Sequence, residues 1–192
     1  MDKTKVKNTQ IASAIFICIV GTLLHFTYKF WGENIFVASF SAVNESVWEH
    51  LKLLFFPMLL TTIIGYFYIG KKVPNFLCSK ALEIITSMLF IVIFFYTYTG
   101  IIGISILFID IASFFIAVIL GEYLAYKLMI GNFECHNRVA LIILTILLIC
   151  FIIFTYYTPN IGLFKDPVTN QYGIIEKENK DVSFLTHLCY KK

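Results

Sequence analysis

The stretch VALIILTILLICFIIFTYY, Val139–Tyr157, carries no charged residue and no helix breaker. A helix needs about 20 mostly apolar residues to cross the hydrocarbon core of a bilayer, and this stretch has that length. Working outward from it, segments of the same character lie at Ile104–Tyr126, Ala81–Thr97, Leu51–Ile69 and Ile11–Tyr28. Apolar residues make up 59% of the 192-residue chain and charged residues 14%, with a mean hydropathy of +0.82. Soluble domains carry about 25% charged residues and have no use for so much apolar surface. The reading is therefore all-α: a polytopic transmembrane bundle of about five spanning helices over residues 1–158. A polar tail occupies 159–192.

The short loops orient the bundle, because basic residues collect on the cytoplasmic side. Lys3, Lys5 and Lys7 precede the first span. Lys71, Lys72 and Lys80 lie between the second and third, and Lys127 and Arg138 between the fourth and fifth. These groups alternate onto one side, which predicts the N-terminus inside and the C-terminal tail outside. The first span is read as a retained helix rather than a signal peptide, since its apolar run continues to Leu24 without a small-x-small cleavage site. The lipid bilayer is the expected partner. No basic patch interleaved with aromatics supports nucleic-acid binding. No internal repeat is visible, and five helices are few for an inverted-repeat transporter, so a transport role would call for a homo-oligomer.

Cys18, Cys78, Cys135, Cys150 and Cys189 show no CxxC or metal-finger spacing. Cys18 and Cys150 fall inside apolar segments. Cys78 and Cys135 fall in the short basic loops placed in the cytoplasm, where disulfides are disfavoured. The expectation is that no disulfide forms.

Against this quiet background stands Ser41-Ala42-Val43-Asn44-Glu45-Ser46-Val47-Trp48-Glu49-His50-Leu51-Lys52, at the start of the second span. Ser41 or Asn44 can cap a helix there, and Glu45 and Glu49 then fall where the helix dipole favours negative charge. Capping alone leaves a repulsion unexplained, because residues four apart share a face. Lys52, three residues after Glu49, can supply a cation, while His50 points about 100° away from Glu49. His25 lies near the same end of the first span. Asp110 lies about two turns into the fourth span from the Gly103 turn. An Asp inside a hydrocarbon-spanning helix costs about 3 kcal/mol and normally faces a partner or a wet cavity. Under the predicted topology, His25, Glu45, Glu49, His50 and Asp110 share the outer half of the membrane.

Carboxylates and imidazoles together suit a divalent metal such as zinc, manganese or iron. A water in the remaining position would be activated for hydrolysis. This assigns candidate catalytic roles to Glu45, Glu49 and His50. Candidate binding roles go to Asn44, Trp48, Lys52 and Asp110, and candidate metal ligation to His25, Glu45, Glu49, His50 and Asp110. The spacing matches no HExxH or Glu-x-x-His pattern. Glu122 and Glu83, near Lys80, Lys127 and Arg138, read as a structural ion pair at the inner interface.

Pro57 should break one helical hydrogen bond beyond the charged segment, either widening a cavity or serving packing. Gly65 and Gly121 suit close helix approach. In the tail, Leu163, Phe164 and Tyr172 are candidates to cover the polar mouth. His187 and Cys189 read as disordered or weakly amphipathic.

The block Leu24-His25-Phe26 … Gly32 … Asn34 … Val43-Asn44-Glu45-Ser46-Val47-Trp48-Glu49-His50-Leu51-Lys52 … Pro57 resembles the family of unknown function DUF6512. So does the tail pattern Leu163-Phe164 … Asp166-Pro167 … Tyr172-Gly173. The resemblance implies a small multi-pass protein of a bacterial cytoplasmic membrane and carries no activity. A looser likeness runs to ceramidase-type membrane hydrolases, which set His and acidic zinc ligands near one membrane face. This chain lacks their paired histidines on one helix. Three functions stay open: a metal-dependent hydrolase of a lipid or other amphiphile, a cation or proton carrier or channel, and a non-catalytic membrane scaffold subunit.

Overall fold

Helix α1 spans Lys3–Phe30 and begins well before its apolar run. The reason is Asp2, whose side chain accepts hydrogen bonds from the backbone N–H groups of Thr4 and Lys5 at 3.0 and 3.1 Å and so satisfies donors that a helix start leaves free. The computed structural model describes residues 2–131 and 134–174; the predicted disorder around His187 and Cys189 falls outside them. After α1 the chain reverses through Gly32 and Glu33, both with positive φ. Asn34 then caps the short helix α2, Ile35–Ala38. Helix α3 is Val47–Tyr68, α4 Phe76–Ile102, α5 Leu107–Ile130 and α6 Asn137–Tyr156. Gly103 ends α4 in the left-handed conformation, φ 87°, which glycine adopts without steric cost.

Five of these helices, all but α2, are long and apolar enough to cross a membrane. Among the described residues there is no β-strand, and the all-helical bundle agrees with the sequence reading. The helices outrun the predicted spans at most of their ends. An apolar run marks only the part of a helix suited to hydrocarbon.

Helix α3 is the most enclosed. It packs against α1 and α4, while α5 lies along α4 and α1, and α6 rests on α4. The central core joins Ile17, Leu54, Phe55, Met58, Ile84 and Phe151. A second cluster unites Val6, Ile69, Val73, Phe76, Ala125 and Met129. That places the start of α1, the end of α3, the start of α4 and the end of α5 together, at the lysine-rich end. Tyr28, Val37, Ala38 and Val43 cluster at the opposite end. Outward side chains such as Ile15, Ile19, Ile119 and Ile142 are exposed, as suits a lipid-facing surface.

Proline and glycine set the closest helix contacts. Pro57 has no N–H to offer the carbonyl of Leu53, one turn earlier. That carbonyl faces Gly21 of α1, where an added Cβ would lie 2.6 Å from it. Helix α3 continues through Pro57, and Gly21, not singled out from sequence, lets α1 come close to it there. Gly121 of α5 meets Ser87 and Glu83 of α4, and Ser87 Oγ donates to the Ala117 carbonyl at 2.9 Å. Gly65 faces the ring of Phe76.

The cysteine expectation is corrected. Cys78 and Cys135 form a disulfide, with Cα atoms 6.2 Å apart, a separation such a bond accommodates. Cys78 is not in a loop: it sits in the first turn of α4, buried. Hydrogen bonds from Asn137 Nδ2 to the Pro74 carbonyl and from Asn75 Nδ2 to the Leu128 carbonyl hold the neighbouring connections against it. Cys18 and Cys150 are free thiols, as expected.

Candidate functional site

The candidate site is built around the loop that joins α2 to α3. Ser46, rather than Ser41 or Asn44, caps α3, its hydroxyl accepting from the Glu49 N–H at 3.3 Å. Asn44 Oδ1 accepts from Ser46 N–H at 2.8 Å, and its Nδ2 donates to the Gly173 carbonyl at 2.8 Å. Ser41 Oγ bridges back to α1, donating to the Leu24 carbonyl and accepting from Tyr28 N–H. Glu45 therefore precedes the helix and is not on one helical face with Glu49. The repulsion expected between them does not arise, because they point to different places.

Glu49 turns inward. Its Oε2 lies 2.6 Å from Lys52 Nζ and accepts from Val43 N–H at 3.0 Å. Lys52 is fully buried, and its ammonium also donates to the Ala38 carbonyl and Thr155 Oγ1, each at 2.9 Å. This pair ties α2, the loop, α3 and α6 together. Trp48 is equally internal: its ring stacks on Phe151 and lies against Phe164 of the tail. Asp110 is elsewhere again, hydrogen-bonded by the hydroxyl of Tyr98 on α4. That hydroxyl also accepts from Ile106 N–H at 3.2 Å, so Asp110 helps close the α4–α5 turn.

What the fold brings together is His25, Glu45 and His50. One ligand-type atom from each lies within 4.8 Å of the others, against edges of about 3.4 Å for a tetrahedral site with bonds of about 2.1 Å. His50 Nδ1 lies 2.9 Å from the Ser46 carbonyl, which can only accept. That contact calls for a proton on Nδ1, and Nε2 lies 3.5 Å from Glu45 Oε2. The His25 and His50 rings are 5.3 Å apart, and His25 Nδ1 is buried without a hydrogen-bond partner among the described residues. Lys29 Nζ reaches Glu45 Oε1 at 3.9 Å, but its side chain is 72% exposed and free to swing away.

The tail supports this loop from outside the bundle. Asp166 Oδ2 accepts from Glu45 N–H at 3.3 Å, while its Oδ1 accepts from Val168 and Thr169 N–H at 2.7 and 3.1 Å. Phe164 is buried between Trp48 and Phe154. Phe164 thus joins the apolar core, whereas Leu163 is partly buried and Tyr172 is at the surface. Asp166 was not singled out as a site residue. An Asp-Pro pair marks a turn, and a loop carboxylate gives no sequence sign of the distant N–H that it accepts.

Five long apolar helices with a polar cluster at one end define a multi-pass membrane protein. The chain belongs to DUF6512, a family of unknown function, whose family model matches residues 1–174. No curated protein and no solved structure matches it.

Proposed function

We propose that His25, Glu45 and His50 hold a divalent transition metal, zinc being well suited to two imidazoles and a carboxylate, and that the metal centre hydrolyses a lipid or another amphiphile. The observation that carries this reading is the His50 geometry: a backbone carbonyl holds Nδ1–H, and Nε2 is turned toward Glu45 and His25. Metal-binding histidines are oriented by this kind of contact. Three protein ligands leave a position for water, whose proton a bound zinc releases near neutral pH. Glu45 and His50 are partly exposed, so water and substrate reach them. Phe30, Trp31, Ile35 and Phe36, which follow His25 in the chain, are exposed apolar side chains, suited to the membrane interface and to the tails of an amphiphile. With the lysine-rich end in the cytoplasm, the site opens outward and the tail lies outside.

The test is elemental analysis of protein purified in detergent without chelators, alongside His25→Ala and His50→Ala. One metal per chain is expected in the parent and at least a tenfold loss of affinity in each variant. A metal-dependent release of product from ester- or amide-linked amphiphiles would complete the assignment. A folded parent free of metal, and unable to take up zinc on titration, would defeat it.

A further inference from the structure

A second ionic cluster lies at the lysine-rich end, inside the bundle. Lys80 and Glu83 come from α4 and Glu122 from α5, and all are buried, with exposures of 1%, 0% and 4%. Lys80 Nζ lies 2.6 Å from Glu83 Oε2, and 3.2 and 3.3 Å from the two Glu122 oxygens. The ion pair expected from sequence is present, but its charges do not balance. One ammonium faces two carboxylates, which leaves an excess negative charge where a helix bundle can least accommodate one.

Two observations show what is missing. The Glu83 carboxylate is enclosed, and beyond the Lys80 ammonium at Oε2 it has no hydrogen-bond partner among the described residues; a buried acceptor such as Oε1 left in this state is costly. Two neighbours of Glu83 offer no remedy: Ser87 Oγ is committed to the Ala117 carbonyl, and Gly121 presents no side chain. Lys80 is the cation that meets these carboxylates among the described residues.

We propose that the Lys80–Glu83–Glu122 cluster is a proton-binding site, holding one proton between the two carboxyl groups. Both groups meet the same Lys80 ammonium, at 2.6 and 3.2 Å. A proton on Glu122 makes it an O–H donor to Glu83, adding a second partner to Lys80 and bringing the cluster to neutrality. Binding forms one O–H bond and release breaks it, with nothing else consumed. The contact between α4 and α5 at this end is then closed by a removable ligand. This reading is independent of the metal site at the opposite end.

Infrared spectroscopy of the full chain in liposomes at neutral pH tests the proposal. The parent should show the carbonyl stretch of a protonated carboxylic acid, shifting in D2O. Glu122→Gln replaces the protonated acid by a neutral amide and keeps the Lys80–Glu83 pair, so this variant should fold and lose the band. Glu83→Gln serves as the second variant and should lose it too. A parent without the band overturns the proposal, as does a band that persists at full intensity in either folded variant. Absence of the band together with stabilisation by sodium over potassium chloride would assign the site to a sodium ion, and the proton reading would fall.

Discussion

Glu45 and Glu49 are four residues apart and do opposite work. Glu45 sits before the Ser46 cap, partly exposed beside His50, whereas Glu49 is the counter-ion of a fully buried lysine. Breaking a buried pair by removing one partner costs about 3–5 kcal/mol. Glu49→Gln is therefore expected to lower thermal stability in detergent sharply, while the folded fraction keeps its metal. Glu45→Gln is expected to do the reverse, losing metal with little change in melting temperature. Measuring both quantities on both variants separates the roles, and metal loss in folded Glu49→Gln would contradict the assignment. The segment Asn44–Lys52 was legible as the chemical centre of the chain, since its charges stand out from hydrocarbon. Its division was not legible. Capping by Ser46 instead of Ser41 or Asn44 moves Glu45 off the helix, and only the fold shows that Lys52 points inward to Thr155 and the Ala38 carbonyl.

At the scale of elements, the five spans follow from apolar runs, but the contacts between them depend on backbone geometry. Gly21 illustrates this. It sits where Pro57 frees the Leu53 carbonyl, and a methyl group there meets that carbonyl and the Phe114 ring, each at 2.6 Å. Overpacking of this kind costs about 1–3 kcal/mol, so Gly21→Ala should lower the thermal midpoint of the bundle. Gly100→Ala is the control, because nothing lies within 4 Å of its added Cβ. It should leave stability unchanged or raise it. Equal effects of the two substitutions would remove Gly21 from the α1–α3 contact. Gly65 and Gly121 were legible as close-approach residues. Gly21 was not, because its reason lies in another helix.

For the whole molecule, the antiparallel helices collect most of the described lysines at one end, and the Cys78–Cys135 disulfide is at that same end. If the lysines place this end in the cytoplasm, the cell holds the bond open. Thiol trapping in intact cells should then label both cysteines, with the bond closing after lysis in the absence of reductant. A bond already closed in cells would reverse the orientation of the bundle and turn the His25 end inward. The pairing was not legible, since 57 residues separate the partners without a motif and only the folded loops bring them together. Sequence distance also shapes how the His25 end comes into being. Glu45 N–H donates to a residue 121 positions later, and Asn44 Nδ2 to one 129 positions later. During synthesis, every spanning helix must leave the ribosome before Asp166 and Gly173 exist to hold that loop. The loop that carries Glu45 is thus fixed in place last, after every spanning helix has been made.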